Sequence, residues 1–235
     1  MQRLLLFFII FSAGAVAGAA GTSGVVIPSA PIERGDFSSL QRGAATFINY
    51  CSGCHSAEYI RYGRIAEDLG IDPAVLREKL IFNEVSLSSG IESSMDTEEA
   101  TEWFHQAAPP DLSLSAKLRG VDWLYAYLRG FYRQEDRPSG WNNQIFPNVA
   151  MPHVLADLQG EFAVNAEGEK TLIRPGRLSS TEYDLMIIDL VNFMDYIAEP
   201  ARAERYRAGY LILSLLLLLL LCTFFLYREY WRDIN

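Results

Sequence analysis

The chain has 235 residues, of which 50% are hydrophobic and 21% charged, with 20 basic and 29 acidic side chains and a net charge of −9. This composition excludes a disordered chain and a coiled coil. The acidic balance argues against a nucleic-acid partner, which needs clustered Lys and Arg.

Residues 1–20 open with Met1 and Arg3, run apolar from Leu4 to Phe11, and continue in small residues with Ala-x-Ala triplets at Ala15–Ala17 and Ala17–Ala19. That is the pattern of a secretory signal peptide, and the run is short for a bilayer. The alternative is an uncleaved N-terminal anchor. Residues 21–206 would then be an exported body. Asp36 to Tyr50 predicts an amphipathic helix, with Leu40, Ala44, Phe47, Ile48 and Cys51 on one side and Asp36 or Ser38 as its N-cap. Gly43, one turn before Phe47, leaves room for a second helix to cross closely.

Residues 51–55 read Cys-Ser-Gly-Cys-His. Cys-x-x-Cys-His is the attachment signature of a c-type haem. Positions i and i+3 share a helix face, so both thiols can reach the vinyl groups along one porphyrin edge, and His55 follows as an axial ligand. A thioredoxin-like pair would want a preceding strand and a βαβ frame, neither of which the sequence suggests. A zinc site would need Cys51, Cys54 and His55 joined by a remote His105 or His153, an odd set. The third cysteine, Cys222, lies in a hydrophobic run far downstream.

Pro73 to Phe82 predicts a helix capped by Asp72, with proline at its first position. From Leu80 to Ala116 there is no Lys or Arg, but there are Glu84, Glu92, Asp96, Glu98, Glu99, Glu102 and Asp111; residues 21–206 together carry 16 basic and 27 acidic side chains. The stretch reads either as a solvated acidic loop or as a docking surface for a basic soluble protein, with steering that weakens in salt. Asp111 to Leu118 predicts a short helix ended by Gly120, and Asp122 starts another that runs to about Tyr132. Phe162 to Ile173, with Asn165 to Gly168 at its centre, predicts a hairpin. Thr181 to Glu199 predicts a helix with a stripe of Leu185, Ile188, Leu190, Phe193, Tyr196 and Ile197, capped from Ser179 to Thr181 and ended by Pro200. It is the candidate to cross the first helix. Ala208 to Tyr227 has no charge and includes seven consecutive leucines, Leu215 to Leu221. Twenty such residues span about 30 Å, so residues 207–228 predict a transmembrane helix and 229–235 a cytoplasmic tail. Flanking Arg residues weakly favour the body inside the cell; the signal peptide favours it outside and is the stronger signal.

A haem that transfers electrons needs a second strong ligand. Met95, His105, Met151, His153, Met186 and Met194 are the candidates. Met186 and Met194 read as core of the last helix, and Met95 lies in a polar acidic stretch. Met151 follows an irregular segment rich in Asn and Pro, Trp141 to Ala150, and precedes Pro152, which suits a ligand held on a stiff loop. His153, two residues on, would point to the same side of an extended segment and stays open.

With these residues the chain resembles the cytochrome c1 family of quinol–cytochrome c reductase (cytochrome bc1) complexes, in its proteobacterial form. The resemblance rests on Cys51 to Ser56 with Tyr59 and Arg61-Tyr62, on Pro109-Pro110-Asp111-Leu112-Ser113, on Phe146-Pro147 through Met151-Pro152, and on Glu199-Pro200 before a single span. It implies a mainly α, class I cytochrome c-like haem domain with long loops, a small β-hairpin and one C-terminal transmembrane helix. It implies one haem c on Cys51 and Cys54, with His55 and Met151 as iron ligands. It further implies that the Pro110 carbonyl orients His55 and that Arg119, ten residues after Pro109, meets a haem propionate; Lys117 stands where many members have another Arg. The connection between the haem motif and the Pro-Pro segment is shorter than in mitochondrial members. The extra disulfide of some bacterial members cannot form here, because both cysteines of the body serve the haem.

The function so implied is electron transfer: from a Rieske iron–sulfur protein, through the haem, to a soluble or tethered cytochrome c. The chain would sit beside cytochrome b in a membrane complex, dimeric by the resemblance, with the haem domain in the periplasm of a bacterial cell. No bond is made or broken by this chain alone. One rival is a stand-alone membrane-anchored cytochrome c, which would want a long flexible linker before its anchor. The other is a haem peroxidase-type enzyme, which needs an open iron position.

Overall fold

A computed structural model describes residues 27–81, 85–104, 108–165 and 168–233. The expected signal peptide, residues 1–20, and His105 lie outside these. The first helix, α1 (Phe37–Tyr50), starts where the Asp36 side chain accepts from the backbone N–H groups of Ser38 and Ser39 at 2.9 and 3.1 Å, so Asp36 is the cap. It buries Leu40, Gly43, Ala44, Phe47 and Ile48. Then come β1 (Ala57–Arg61), α2 (Tyr62–Leu69), α3 (Pro73–Lys79), β2 (Gly90–Ile91) and α4 (Thr97–Trp103). They are followed by α5 (Ser115–Arg119), α6 (Val121–Arg129), β3 (Phe131–Arg133), β4 (Trp141–Asn143), α7 (Ala156–Gln159), β5 (Gly160–Val164) and β6 (Lys170–Pro175). Two long helices close the chain, α8 (Ser180–Ala198) and α9 (Arg202–Tyr230).

The predicted crossing is present: α8 packs against α1 at Gly43. A Cβ on Gly43 would lie 2.7 Å from Phe193 Cβ and 2.8 Å from the Asp189 carbonyl carbon, and closer still to the Asp189 oxygen. Only glycine admits this approach. Phe47 fills the adjoining space with its ring centroid 5.7 Å from that of Phe193. Arg42 forks onto Asp189 at 2.6 and 2.9 Å, and Asn192 donates to Ser39 Oγ at 3.0 Å.

Four sequence expectations shift. The stripe on α8 is not the one expected: Leu185 is 57% exposed, whereas Tyr183, Ile187, Val191 and Met194 join Leu190, Phe193 and Ile197 in the core. The reason is that α1, α5, α6 and α7 all pack on α8, so it is buried from several sides and no single stripe describes it. Of the segment Asp111 to Leu118 only the last turn joins a helix, α5, because the Asp111 side chain holds Ser113 N–H in a turn of its own at 2.8 Å. The helix expected to reach Tyr132 stops at Arg129, and Phe131 to Arg133 turn into β3, paired with β4. At Gly130 the carboxamide of Asn143 comes so near that a Cβ would meet its oxygen at 2.9 Å. The α3 helix ends at Lys79, with Leu80 as its C-cap. The predicted hairpin is β5–β6, antiparallel, with Phe162 opposite Leu172. The sheets β1–β2, β3–β4 and β5–β6 have two strands each; helices dominate, as expected.

The anchor is joined to the body by a cluster of ions. Arg202, in the first turn of α9, reaches Asp195 of α8 at 2.8 and 3.1 Å and Glu199 at 3.2 Å. Arg34 also holds Asp195 (2.7 Å), and Arg205 and Lys117 hold Glu199 (2.5 and 3.6 Å). Beyond it, α9 runs 29 residues, apolar and unburied, long enough to cross a membrane. Its Ser214 and Thr223 hydroxyls bond back to the carbonyls of Tyr210 and Leu219, so neither needs another partner in lipid.

Candidate functional site

The haem motif follows α1 without a break. The Phe47 carbonyl accepts from the N–H groups of Cys51 (2.8 Å) and Ser52 (3.0 Å), and the Cys51 carbonyl accepts from Cys54 (3.1 Å) and His55 (2.8 Å). Helix gives way to hydrogen-bonded turns, and the two cysteines stay one turn apart, unlinked to each other. Burial, with Cys54 beside it, pushes the Cys51 thiol up to about 12. That is opposite to the depressed thiol of a redox-active Cys-x-x-Cys pair, and a helix, not a strand, precedes the motif. Among the described residues, which do not include His105, no three His, Cys, Asp or Glu side chains gather to hold a metal ion.

His55 is buried, and its Nδ1 lies 2.7 Å from the Pro110 carbonyl oxygen. A carbonyl can only accept, so Nδ1 carries the proton and Nε2 keeps its lone pair, the form that binds a metal. Burial lowers the His55 pKa, against the opposing pull of Pro110 and Asp111, and favours the neutral ring. The Pro110 loop is itself stapled down. Asp111 accepts from Ser56 Oγ (2.7 Å) and Glu58 N–H (2.9 Å), Leu112 N–H donates to the Ser56 carbonyl (2.8 Å), and Tyr59 N–H donates to Ser113 Oγ (3.1 Å). Sequence reasoning missed Asp111 and Ser113 as the source of this geometry; an Asp followed two residues later by Ser, right after Pro-Pro, was the available signal of a side-chain-bonded turn.

Met151 lies on the loop after β4, which buried asparagines hold in shape. Asn143 Oδ1 accepts from the N–H groups of Ile145 (2.8 Å) and Phe146 (3.1 Å), and Asn142 Oδ1 from those of Asn143 and Asn148 (2.8 Å each). Asn148 takes φ +64°, which asparagine tolerates. The half-buried Met151 sulfur accepts from the Tyr127 hydroxyl at 3.3 Å, and burial raises the Tyr127 phenol above its ordinary range, so it keeps its proton. Tyr127 stacks on Trp123 (4.9 Å, 9°), and the Arg119 guanidinium lies 5.1 Å from the Trp123 ring and 5.8 Å from that of Phe146. Arg119 has no carboxylate partner among the described residues. A free guanidinium resting on aromatic rings on the Met151 side fits a propionate, and the metal-binding tautomer of His55 beside the two thiols fits the haem edge and iron.

The competing donor His153 is enclosed. Its ring stacks on Phe131 (4.8 Å, 1°) and meets Trp141 edge-on (5.1 Å), and burial drives its pKa down to about 4. It is a neutral core residue. Met194 is buried and Met186 half-buried in α8, as core side chains.

The chain matches the Cytochrome C1 family over residues 28–234. The chain belongs to the cytochrome c1 family. It is 42% identical to the cytochrome c1 of Allochromatium vinosum, with 100% of each protein covered. It is 43% identical to a protein named ammonia monooxygenase gamma subunit in Nitrosomonas europaea, covering 100% of this chain and 99% of that one. To the mitochondrial cytochrome c1 heme protein of Saccharomyces cerevisiae it is 26% identical, over 87% of this chain and 70% of that one. Cytochromes c1 are electron-transfer subunits of the cytochrome bc1 complex that carry a covalent haem c, and Cys51 and Cys54 present the attachment motif for it here. Among the described residues, α9 is the one helix long and apolar enough to serve as a membrane anchor.

Proposed function

We propose that this cytochrome c1 relays single electrons from a Rieske iron–sulfur protein to a cytochrome c, beside cytochrome b in a dimeric quinol–cytochrome c reductase. The observation that carries the reading is His55, buried and held through Nδ1 by Pro110 so that Nε2 is the nitrogen available to iron. Cys51 and Cys54 supply the thioether links, and Met151 Sδ supplies the sixth ligand. Pro110 fixes the imidazole, and Arg119 offsets a propionate charge. When bound, the haem would supply a one-electron ferric/ferrous couple, and His55 with Met151 would hold it at high potential. Residues 1–20 direct export, 21–206 lie in the periplasm, 207–228 span the bacterial inner membrane, and 229–235 reach the cytoplasm.

The acceptor docks on the acidic stretch 80–116. Glu98, Glu99 and Glu102 on α4 are exposed and, among the described residues, have no basic partner. The ion cluster between α8 and α9 supports fixed mounting in a complex over a freely swinging stand-alone shuttle. Solubilisation in mild detergent followed by identification of what co-purifies tests the reading. Cytochrome b and a Rieske protein are expected; recovery of the haem protein without cytochrome b refutes membership of the complex, and a high-spin ferric spectrum that binds added ligands would restore the peroxidase-type alternative.

A further inference from the structure

The hydroxyl of Tyr127 is aimed by three separate contacts. Its ring lies flat on Trp123 and edge-on to Phe131, with centroids 5.2 Å apart, so the ring cannot pivot freely. Its own carbonyl accepts from Asn143 Nδ2 at 2.8 Å. The same Asn143, through Oδ1, holds Ile145 and Phe146 at the start of the loop that carries Met151. One buried side chain therefore sets both the donor helix and the acceptor loop, and the result is the 3.3 Å hydrogen bond from Tyr127 Oη to Met151 Sδ.

We propose that Tyr127 is a positioning and tuning residue for the methionine ligand: its O–H occupies one lone pair of the thioether sulfur, leaves the other for iron, and raises the potential of the haem. The inference rests on the assignment of Met151 as sixth ligand. A thioether sulfur is a weak acceptor with little density to share. A donor hydrogen bond draws on that density and makes the sulfur a poorer ligand. Ferric iron depends more on ligand donation than ferrous iron, so the bond disfavours the oxidised state. It also fixes the direction of the sulfur, which opposes detachment of the ligand.

The test uses the full chain, haem-loaded, in its detergent-solubilised complex. Tyr127→Phe deletes the hydroxyl and keeps the stacked ring. The midpoint potential is expected to fall by up to about tenfold in the ferric-to-ferrous ratio, equivalent to about 59 mV for a one-electron couple. The far-red sulfur-to-ferric-iron band is expected to shift and persist. An unchanged potential and an unchanged band in Tyr127→Phe overturn the proposal. Met151→Leu separates this outcome from failure of the ligand assignment. Loss of the band in Met151→Leu establishes the ligand; survival of the band removes both readings together. In the Met151→Leu background, adding Tyr127→Phe should leave the potential unmoved, because the acceptor is gone. An equal shift in both backgrounds would mean that Tyr127 acts on the haem by another route, and would overturn the proposal.

Discussion

The close crossing at Gly43 makes a sharp quantitative test of how this fold holds its haem motif. In Gly43→Ala the new methyl would lie 2.7 Å from Phe193 Cβ and in hard overlap with the backbone of Asp189. Ordinary contact begins at 3.4 Å, so α1 must retreat by about 0.7 Å or more, and the obstacle on the α8 side includes backbone, which cannot rotate away. The retreat strains the Phe47–Phe193 contact and lengthens the Arg42–Asp189 fork. Overpacking of this kind costs about 3 kcal/mol. For a domain of this size that corresponds to a fall in Tm of about 6–12 °C. The motif begins at the residue after α1, so the displacement is carried to Cys51, Cys54 and His55, and the His55–Pro110 contact should loosen with it. Thermal melts followed through the haem absorbance, with Gly35→Ala as control because a Cβ there meets nothing within 4 Å, measure the effect. If Gly43→Ala melts with the control and keeps its potential, the crossing does not set the position of the motif.

Arg119→Gln should lower the midpoint potential by tens of millivolts, about 59 mV per tenfold in the equilibrium constant, by leaving a propionate charge unmatched; an unchanged potential refutes the assignment. Replacing Glu98, Glu99 and Glu102 together by Gln should slow reduction of a basic cytochrome c at low salt and matter little at high salt, since exposed charges are screened beyond about 8–10 Å; stopped-flow rates equally salt-dependent in parent and variant would place docking elsewhere. Asp111 gives a pH test. Burial pushes its pKa up, but hydrogen bonds from Ser113, Glu58 and Ser56 outweigh burial and hold it below the ordinary value. Its stabilising effect is therefore present at neutral pH and is lost as pH falls through the depressed folded value. Acid titration of melting temperature should show that loss in the parent and a flatter curve, from a lower neutral value, in Asp111→Asn.

What was legible in the sequence was mostly local. The helix cap at Asp36 or Ser38, the haem motif, the glycine one turn before Phe47, the hairpin around Gly168 and the apolar run after Arg207 each announce themselves within a few residues, and each has its counterpart in the described structure, with the cap falling to Asp36. The contact between His55 and Pro110 spans 55 residues and was reachable only through family resemblance. Tyr127 was not reachable at all. Trp123, Tyr127 and Phe131 recur at helical spacing and read as an ordinary apolar stripe; their role depends on which loop arrives above them. The same limit explains β3. Phe131 to Arg133 continue a helical pattern, and only the approach of Asn143 to Gly130 turns the chain. On α8 the stripe was misread because neighbours cover several of its faces. Of the segment from Trp141 to Ala150, read as irregular by its composition, Trp141 to Asn143 instead form β4, and the loop begins after them. Its stiffness comes from two asparagine side chains acting as internal struts, which composition alone does not reveal.

The ion cluster at Pro200 has a mechanical consequence. Asp195 is gripped from the chain's beginning by Arg34 and from the anchor by Arg202, and Glu199 is gripped by Arg202, Arg205 and Lys117. The bend between α8 and α9 is thus braced on both sides, like a bracket on a mast. A prosthetic group mounted on such a bracket keeps one height above the bilayer and one heading. On the proposed role, a fixed terminal of this kind leaves the travel that electron transfer needs to its partners.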